Sequence, residues 1–108
     1  MSYTVVITDT VKQDLRDIAI WIAEQAKDID IAKCFVNELR ERCKKLDKFP
    51  STGSFPGDRV LKSAGFRFVT HKDYLVFYLI DEESKTVNVM AIFNAKKDYM
   101  RVMRNFIQ

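Results

Sequence analysis

The 108-residue chain has one histidine, two cysteines, two prolines, three glycines and one tryptophan. With a single histidine, a Ser-His-Asp triad would have to use His71, and no serine stands out as its nucleophile. No GxGxxG, P-loop, HExxH, GxSxG or CxxC motif occurs, so the nucleotide-cofactor and metal-protease classes are excluded on motif grounds. Cys34 and Cys43 fall in one helical pattern. Nine steps of ~100° put them on opposite faces, ~13.5 Å apart along the axis, too far for a disulfide. They are expected as packing residues or free thiols, and no metal site or cofactor is expected. The longest apolar run, Tyr74 to Ile80, is far short of the ~20 residues of a membrane span. The N-terminus has no basic region followed by an apolar stretch, so no secretory signal is expected and the cytoplasm is the expected compartment.

What is present is a balanced globular composition: 47% apolar and 31% charged residues. This length is that of one domain, residues 1–108. The net charge of +3 is unevenly placed. Residues 1–58 carry nine Lys/Arg against ten Asp/Glu, and residues 59–108 carry nine against five. An acidic partner is drawn to the second half.

Both prolines and two glycines lie in one stretch, Pro50 to Asp58, a long loop between two unlike halves. Ahead of it, Tyr3 to Thr8 is β-branched and reads as a strand. Thr10 and Gln13 form a capping-box signature, and Val11, Leu15, Ile18, Ile22 and Ala26 then keep helical spacing, with Trp21 expected in the core beside them. Lys27 to Asp30 breaks the pattern. A second helix carries Ala32, Phe35, Val36, Leu39, Cys43 and Leu46 on one stripe and ends at Phe49, ahead of Pro50. The cationic residues between Arg40 and Lys48 read as its solvated face.

Behind the loop, 59–61 and 66–70 are expected as strand pieces, with Gly65 a bend between them. His71-Lys72-Asp73 is a turn. Tyr74 to Ile80 is apolar throughout, the mark of a central strand covered on both faces. Thr86 to Phe93 is the last strand. Residues 94–107 read as a short basic helix with Tyr99, Val102, Met103 and Phe106 inward. The order β-α-α-β-β-β-α is an α+β layer fold: an antiparallel sheet with an N-terminal helical hairpin on one face and a short C-terminal helix.

Arg59, Lys62, Arg67, His71 and Lys72 spread over the strand half, and Lys96, Lys97, Arg101 and Arg104 follow it with Tyr99 among them. Basic groups interleaved with aromatics suit single-stranded nucleic acid. They equally suit an ordinary solvated strand and helix exterior, and Tyr99 shares a helical face with Met103 and Phe106, a core pattern.

Three local patterns together resemble the RelE/ParE superfamily of bacterial type II toxins, across essentially the whole chain. They are Tyr3-Thr4-Val5-Val6-Ile7-Thr8 running into Val11 to Ile18 with Trp21-Ile22 behind; Leu46-Asp47-Lys48-Phe49-Pro50 followed by Gly53; and Tyr74 to Asp81, then Val87 to Phe93 and Lys97-Asp98-Tyr99. The resemblance implies a growth-inhibiting toxin encoded beside an antitoxin that neutralises it, in modules associated with plasmid stabilisation. It also implies one of two activities. RelE-like members cleave messenger RNA on the ribosome, and ParE-like members inhibit DNA gyrase. RelE-like members place arginine where this chain has Leu75, and an arginine and a late tyrosine where it has Ala95 or Lys96 and roughly Met100 or Arg101. The ending Ile92 to Tyr99 is closer to the ParE-like pattern, in which a histidine often stands at the place of Asn94. The expectation is therefore a ParE-like gyrase inhibitor, with mRNA cleavage as the alternative. A nuclease would draw on Lys62, Arg67, His71, Lys96 and Lys97. Target binding is expected at Arg59, Lys72, Tyr99, Arg101 and Arg104. A partly disordered acidic antitoxin tail is expected across the basic sheet half.

Overall fold

The computed structural model describes residues 2–96 and Met103. The β-branched run at the N-terminus forms strand β1, Thr4–Ile7. Thr8 then starts helix α1, Asp9–Ala26, its hydroxyl oxygen accepting from Val11 N. The cap is thus Thr8 rather than the expected Thr10. Its hydroxyl also donates to Val89 O at 2.7 Å, which ties the helix start to the sheet. Lys27, in the left-handed conformation at φ 54°, closes α1. Asp28 caps helix α2, Ile29–Lys44, by accepting from Asp30 N. Arg42 and Lys44 in its last turn complement the helix dipole. The helix stops at Lys44, earlier than the expected Phe49, and tightens into 3-10 turns at Lys45–Asp47 and Pro50–Thr52.

Residues 59–61, expected as strand, form helix α3, Arg59–Ser63. Asp58 decides this: its carboxylate accepts from both Val60 N and Leu61 N. Leu61 is buried beneath that one short helix. Gly65, at φ 95°, makes the bend into strand β2, Arg67–His71. β3 is Tyr74–Asp81 and β4 is Thr86–Asn94. The helix expected from residue 94 does not begin there: Asn94 ends β4 and residues 95 and 96 form a turn; beyond Lys96 only Met103 is described, helical and fully buried.

The sheet order is β1-β4-β3-β2. The β2-β3-β4 meander is antiparallel, as expected, but β1 pairs parallel with β4, so the α+β sheet is mixed. Hairpins dictate antiparallel neighbours. β1 is joined to β4 by no hairpin and simply fills the open edge, in register Thr4 with Thr86 through Ile7 with Val89. A bulge leaves Met90 as the extra residue, because Phe77 faces Ala91 while Tyr78 faces Val89.

The central strand is covered on both sides. Tyr74, Val76 and Tyr78 join the core under α1 and α2, with Val11, Leu15, Ile18, Leu39 and Leu46. Leu75 and Phe77 face the second core, with Leu61, Phe66, Ala91 and Met103. Trp21, expected in the core, is instead 55% exposed. It follows Ile18 by three residues, about 60° round the helix, and borders an open cleft beside the sheet.

Candidate functional site

Alternation along β2 sends Arg67, Val69 and His71 toward the hairpin face, and Phe68 to the opposite one, where it packs on Phe77. Arg67 and His71 sit four residues apart, hence ~13 Å along the strand. They anchor two separate clusters.

The first cluster fixes the 50–58 loop. Arg67 Nη1 donates to Gly53 O at 3.2 Å and to Ser51 O at 3.4 Å. Its guanidinium lies 4.2 Å from the centre of the Phe55 ring, and Lys62 Nζ, brought by α3, lies 5.5 Å from the same ring. Ser54 bridges Phe68 in both directions, N–H to O, at 2.9 Å each way. Beneath them the buried Tyr78 hydroxyl donates to Pro50 O at 2.6 Å and accepts from Gly53 N at 3.0 Å. A Cβ on Gly53 would come within 2.2 Å of that hydroxyl and 2.9 Å of Phe68 O, so only glycine fits. Burial holds the Tyr78 phenol above the ordinary tyrosine range, only partly offset by the Gly53 N–H.

The second cluster lies at the other end of β2. His71 Nε2–H donates to Glu38 Oε1 at 3.1 Å, and Lys72 Nζ lies 3.4 Å from the same oxygen. Phe35 meets the His71 and Tyr74 rings in T-shaped contacts, centroids 5.5 Å apart in each, with Lys72 Nζ 5.4 Å from the Phe35 centre. The His71 hydrogen bond is the main reason that the Glu38 carboxyl titrates below the usual range; desolvation opposes it, and Lys72 adds to the lowering. His71 thus ties the β2-β3 turn to α2, and Lys72, at φ 53°, makes that turn.

Lys96 belongs to neither cluster. Its N–H donates to Asn94 Oδ1, and its side chain borders a cleft of about 540 Å³ lined by Asp17, Trp21, Tyr74 and Phe93. Arg59 stands exposed on the first turn of α3. Of the sequence-predicted residues, the fold unites Lys62 with Arg67 and His71 with Lys72, and keeps the pairs apart. Lys97, Tyr99, Arg101 and Arg104 lie outside the described residues. Among the described residues no group of His, Cys, Asp or Glu could hold a metal ion, and no helix is long and apolar enough to cross a membrane. Sequence reasoning missed Phe55, Tyr78 and Glu38. Gly53 beside Pro50 was the one available sign that a side chain closes on this loop.

Residues 5–99 match the family model described as the ParE toxin of the type II toxin-antitoxin system parDE. The chain belongs to the ParE toxin family. It is a toxin of the type II toxin-antitoxin class, within the RelE/ParE superfamily. The ParE-family match runs from β1 through β4, so both clusters lie inside it. No curated protein matches the sequence significantly. Similar solved structures include the RelBE2 toxin-antitoxin complex of Mycobacterium tuberculosis, at 24% identity and a TM-score of 0.64, over 87% of this chain and 99% of that one. The chromosomal ParDE system of P. aeruginosa aligns at 17% identity and TM-score 0.71, over 85% and 95%. A double mutant of the E. coli toxin RelE in the free state aligns at 13% and 0.60, over 94% and 93%. At these identities the likeness is one of fold, and this ParE-family chain shares it with RelE-type and ParE-type proteins alike.

Proposed function

We propose that this ParE-family toxin inhibits DNA gyrase by protein contact, acts in the cytoplasm, and is neutralised by a cognate antitoxin. The dispersal of the nuclease candidates carries this reading. Cleavage through a 2′-hydroxyl needs a base, an acid and cations around one phosphate. Here Arg67 and His71 are ~13 Å apart along β2. Arg67 is committed to the Ser51 and Gly53 carbonyls, and His71 to Glu38. A contact inhibitor requires no such convergence. The match to the ParE family model supports the same branch. The antitoxin reading is supported by the neighbour solved as a RelBE2 toxin-antitoxin complex and by the family description. Its acidic tail would meet the basic half of the chain, so the affinity falls as salt rises.

The test is induction of the toxin without antitoxin, with plasmid topology and transcript integrity followed together, and purified gyrase assayed for supercoiling. Relaxed plasmid, induced DNA damage and intact transcripts are expected. Codon-proximal cuts in translated messages, lost in Arg67→Ala or Lys96→Ala, would replace this reading with RelE-like cleavage. Neither effect, with antitoxin binding intact, would leave an inactive toxin kept for its partner.

A further inference from the structure

The loop fixed by Tyr78 and Arg67 presents apolar side chains to solvent on a rigid frame. Phe49 is 64% exposed, Phe55 50% and Val60 48%, all within twelve residues. Exposed rings on a loop held by the Tyr78 hydroxyl, the Ser54–Phe68 pair and two Arg67 hydrogen bonds lose little conformational freedom when covered. Aromatic and Arg side chains in such positions are what protein interfaces use as anchors.

Three cations, Arg59, Lys62 and Arg67, stand among them or beside them. Among the described residues, Lys72 is paired with Glu38 and Lys85 with Glu82, whereas no ion pair involves Arg59, Lys62 or Arg67. The nearest acid in sequence, Asp58, has an oxygen engaged by the Val60 and Leu61 amides at the start of α3. A nucleic acid would want the guanidinium of Arg67 for phosphate or for base stacking. That group already stacks on Phe55 and bonds two carbonyls, while Val60 and Phe49 offer apolar area with no charge. These features favour a protein.

We propose that Phe49, Phe55 and Val60, rimmed by Arg59 and Lys62, form the surface on which this toxin docks an acidic, apolar-anchored segment of the protein that it inhibits. Arg67 is the positioning residue beneath it. The proposal rests on the contact-inhibition reading above and names the surface for it.

The test uses full-length Phe55→Ser, Lys62→Glu and the double variant, with Ile20→Ser, at another exposed apolar position, as control. Each is purified from its antitoxin complex, and growth arrest, gyrase supercoiling and thermal unfolding are compared with the unmodified toxin. The expected result is an unchanged melting temperature and about tenfold more toxin needed for half inhibition of gyrase in each single variant, with antitoxin affinity falling by less than that factor; a larger fall in antitoxin affinity would give the surface to the antitoxin and overturn the proposal. The Lys62→Glu deficit should narrow as salt rises. Ile20→Ser should inhibit like the unmodified toxin. If gyrase is inhibited equally by all variants, the surface is wrong and the gyrase reading stands. If the unmodified toxin leaves gyrase untouched, the gyrase reading falls, and growth arrest decides the surface. Arrest retained in the double variant overturns it; arrest lost with transcripts intact throughout supports it for another protein target. Transcript cleavage that the double variant abolishes overturns it, as does an unmodified toxin with no effect on growth or gyrase. If the double variant does not fold, the exposed Lys62→Glu alone carries the comparison.

Discussion

Replacing Tyr78 by Phe removes one oxygen and tests the whole frame of the 50–58 loop. The ring is fully buried, and its hydroxyl serves two backbone groups, donating to Pro50 O and accepting from Gly53 N. Both of those residues are buried, so water does not readily replace the lost partner. A net hydrogen bond contributes about 0.5–1.5 kcal/mol, and a buried group left unsatisfied costs about 1–3. Two groups orphaned by one deletion, with local relaxation relieving part of the loss, set the expected destabilisation at about 2–3 kcal/mol. For a domain near 100 residues each kcal/mol shifts the melting temperature by roughly 4–8 °C, so the drop should be on the order of 10–20 °C. Tyr3→Phe is the control: its hydroxyl donates to Glu82 Oε2 at 2.8 Å, but on the surface, and its loss should stay within about 0.5 kcal/mol. Urea denaturation followed by circular dichroism gives both values, and hydrogen exchange at the Gly53 amide reports the loop directly. A Tyr78→Phe loss below about 0.5 kcal/mol, or Gly53 protection left intact, would refute the claim that this hydroxyl holds the loop.

Three further outcomes follow from the same coordinates. Gly53→Ala should destabilise by about 2–4 kcal/mol, because its Cβ meets Tyr78 and the Phe68 carbonyl, whereas Gly57→Ala, with nothing within 4 Å, should be neutral or stabilise by up to about 1 kcal/mol in the same urea titration. Glu38 has a folded-state pKa below its ordinary 4.5, so its stabilising contribution is present above that pH and is lost as pH falls through the folded value. The melting-temperature advantage of the unmodified chain over Glu38→Gln should therefore be present at neutral pH and vanish in the acid range below about 4.5; an advantage that persists there would contradict the His71–Glu38–Lys72 arrangement. Cys34 is exposed, while burial pushes the Cys43 thiol up to about 11. A thiol reagent should label one cysteine in the native protein and the second only after unfolding.

Much of the architecture is legible in local pattern. The Val11-Leu15-Ile18 and Ala32-Val36-Leu39-Cys43 stripes face the core as their spacing requires, and the unbroken apolar run Tyr74 to Ile80 is the doubly covered central strand. The failures are cases where a few atoms outside the pattern decide. Val60-Leu61 reads as β, yet one Asp58 carboxylate closes a helical turn on it. Trp21 lies beside the buried stripe and so reads as core, but it borders an open cleft with Tyr74 and Phe93 and stays 55% exposed. The separation of Arg67 from His71 is invisible in the sequence, because alternation gives their shared face without saying which backbone groups or acids await each.

The residue order by itself determined most of the elements, β1, the two helices of the hairpin and the β2-β3-β4 strands but not α3, and the class of protein they build, since helix and strand periods and turn-forming residues act over a few neighbours. Only the tertiary structure decided that β1 runs parallel to β4, that Tyr78 reaches back to Pro50 and Gly53, and that among the described residues the cations divide into a group paired with Glu38 at His71 and one without an ion pair at Phe55. Those outcomes depend on contacts between residues from 12 positions apart, Phe55 and Arg67, to 82 positions apart, Thr4 and Thr86, and no local period encodes such a contact.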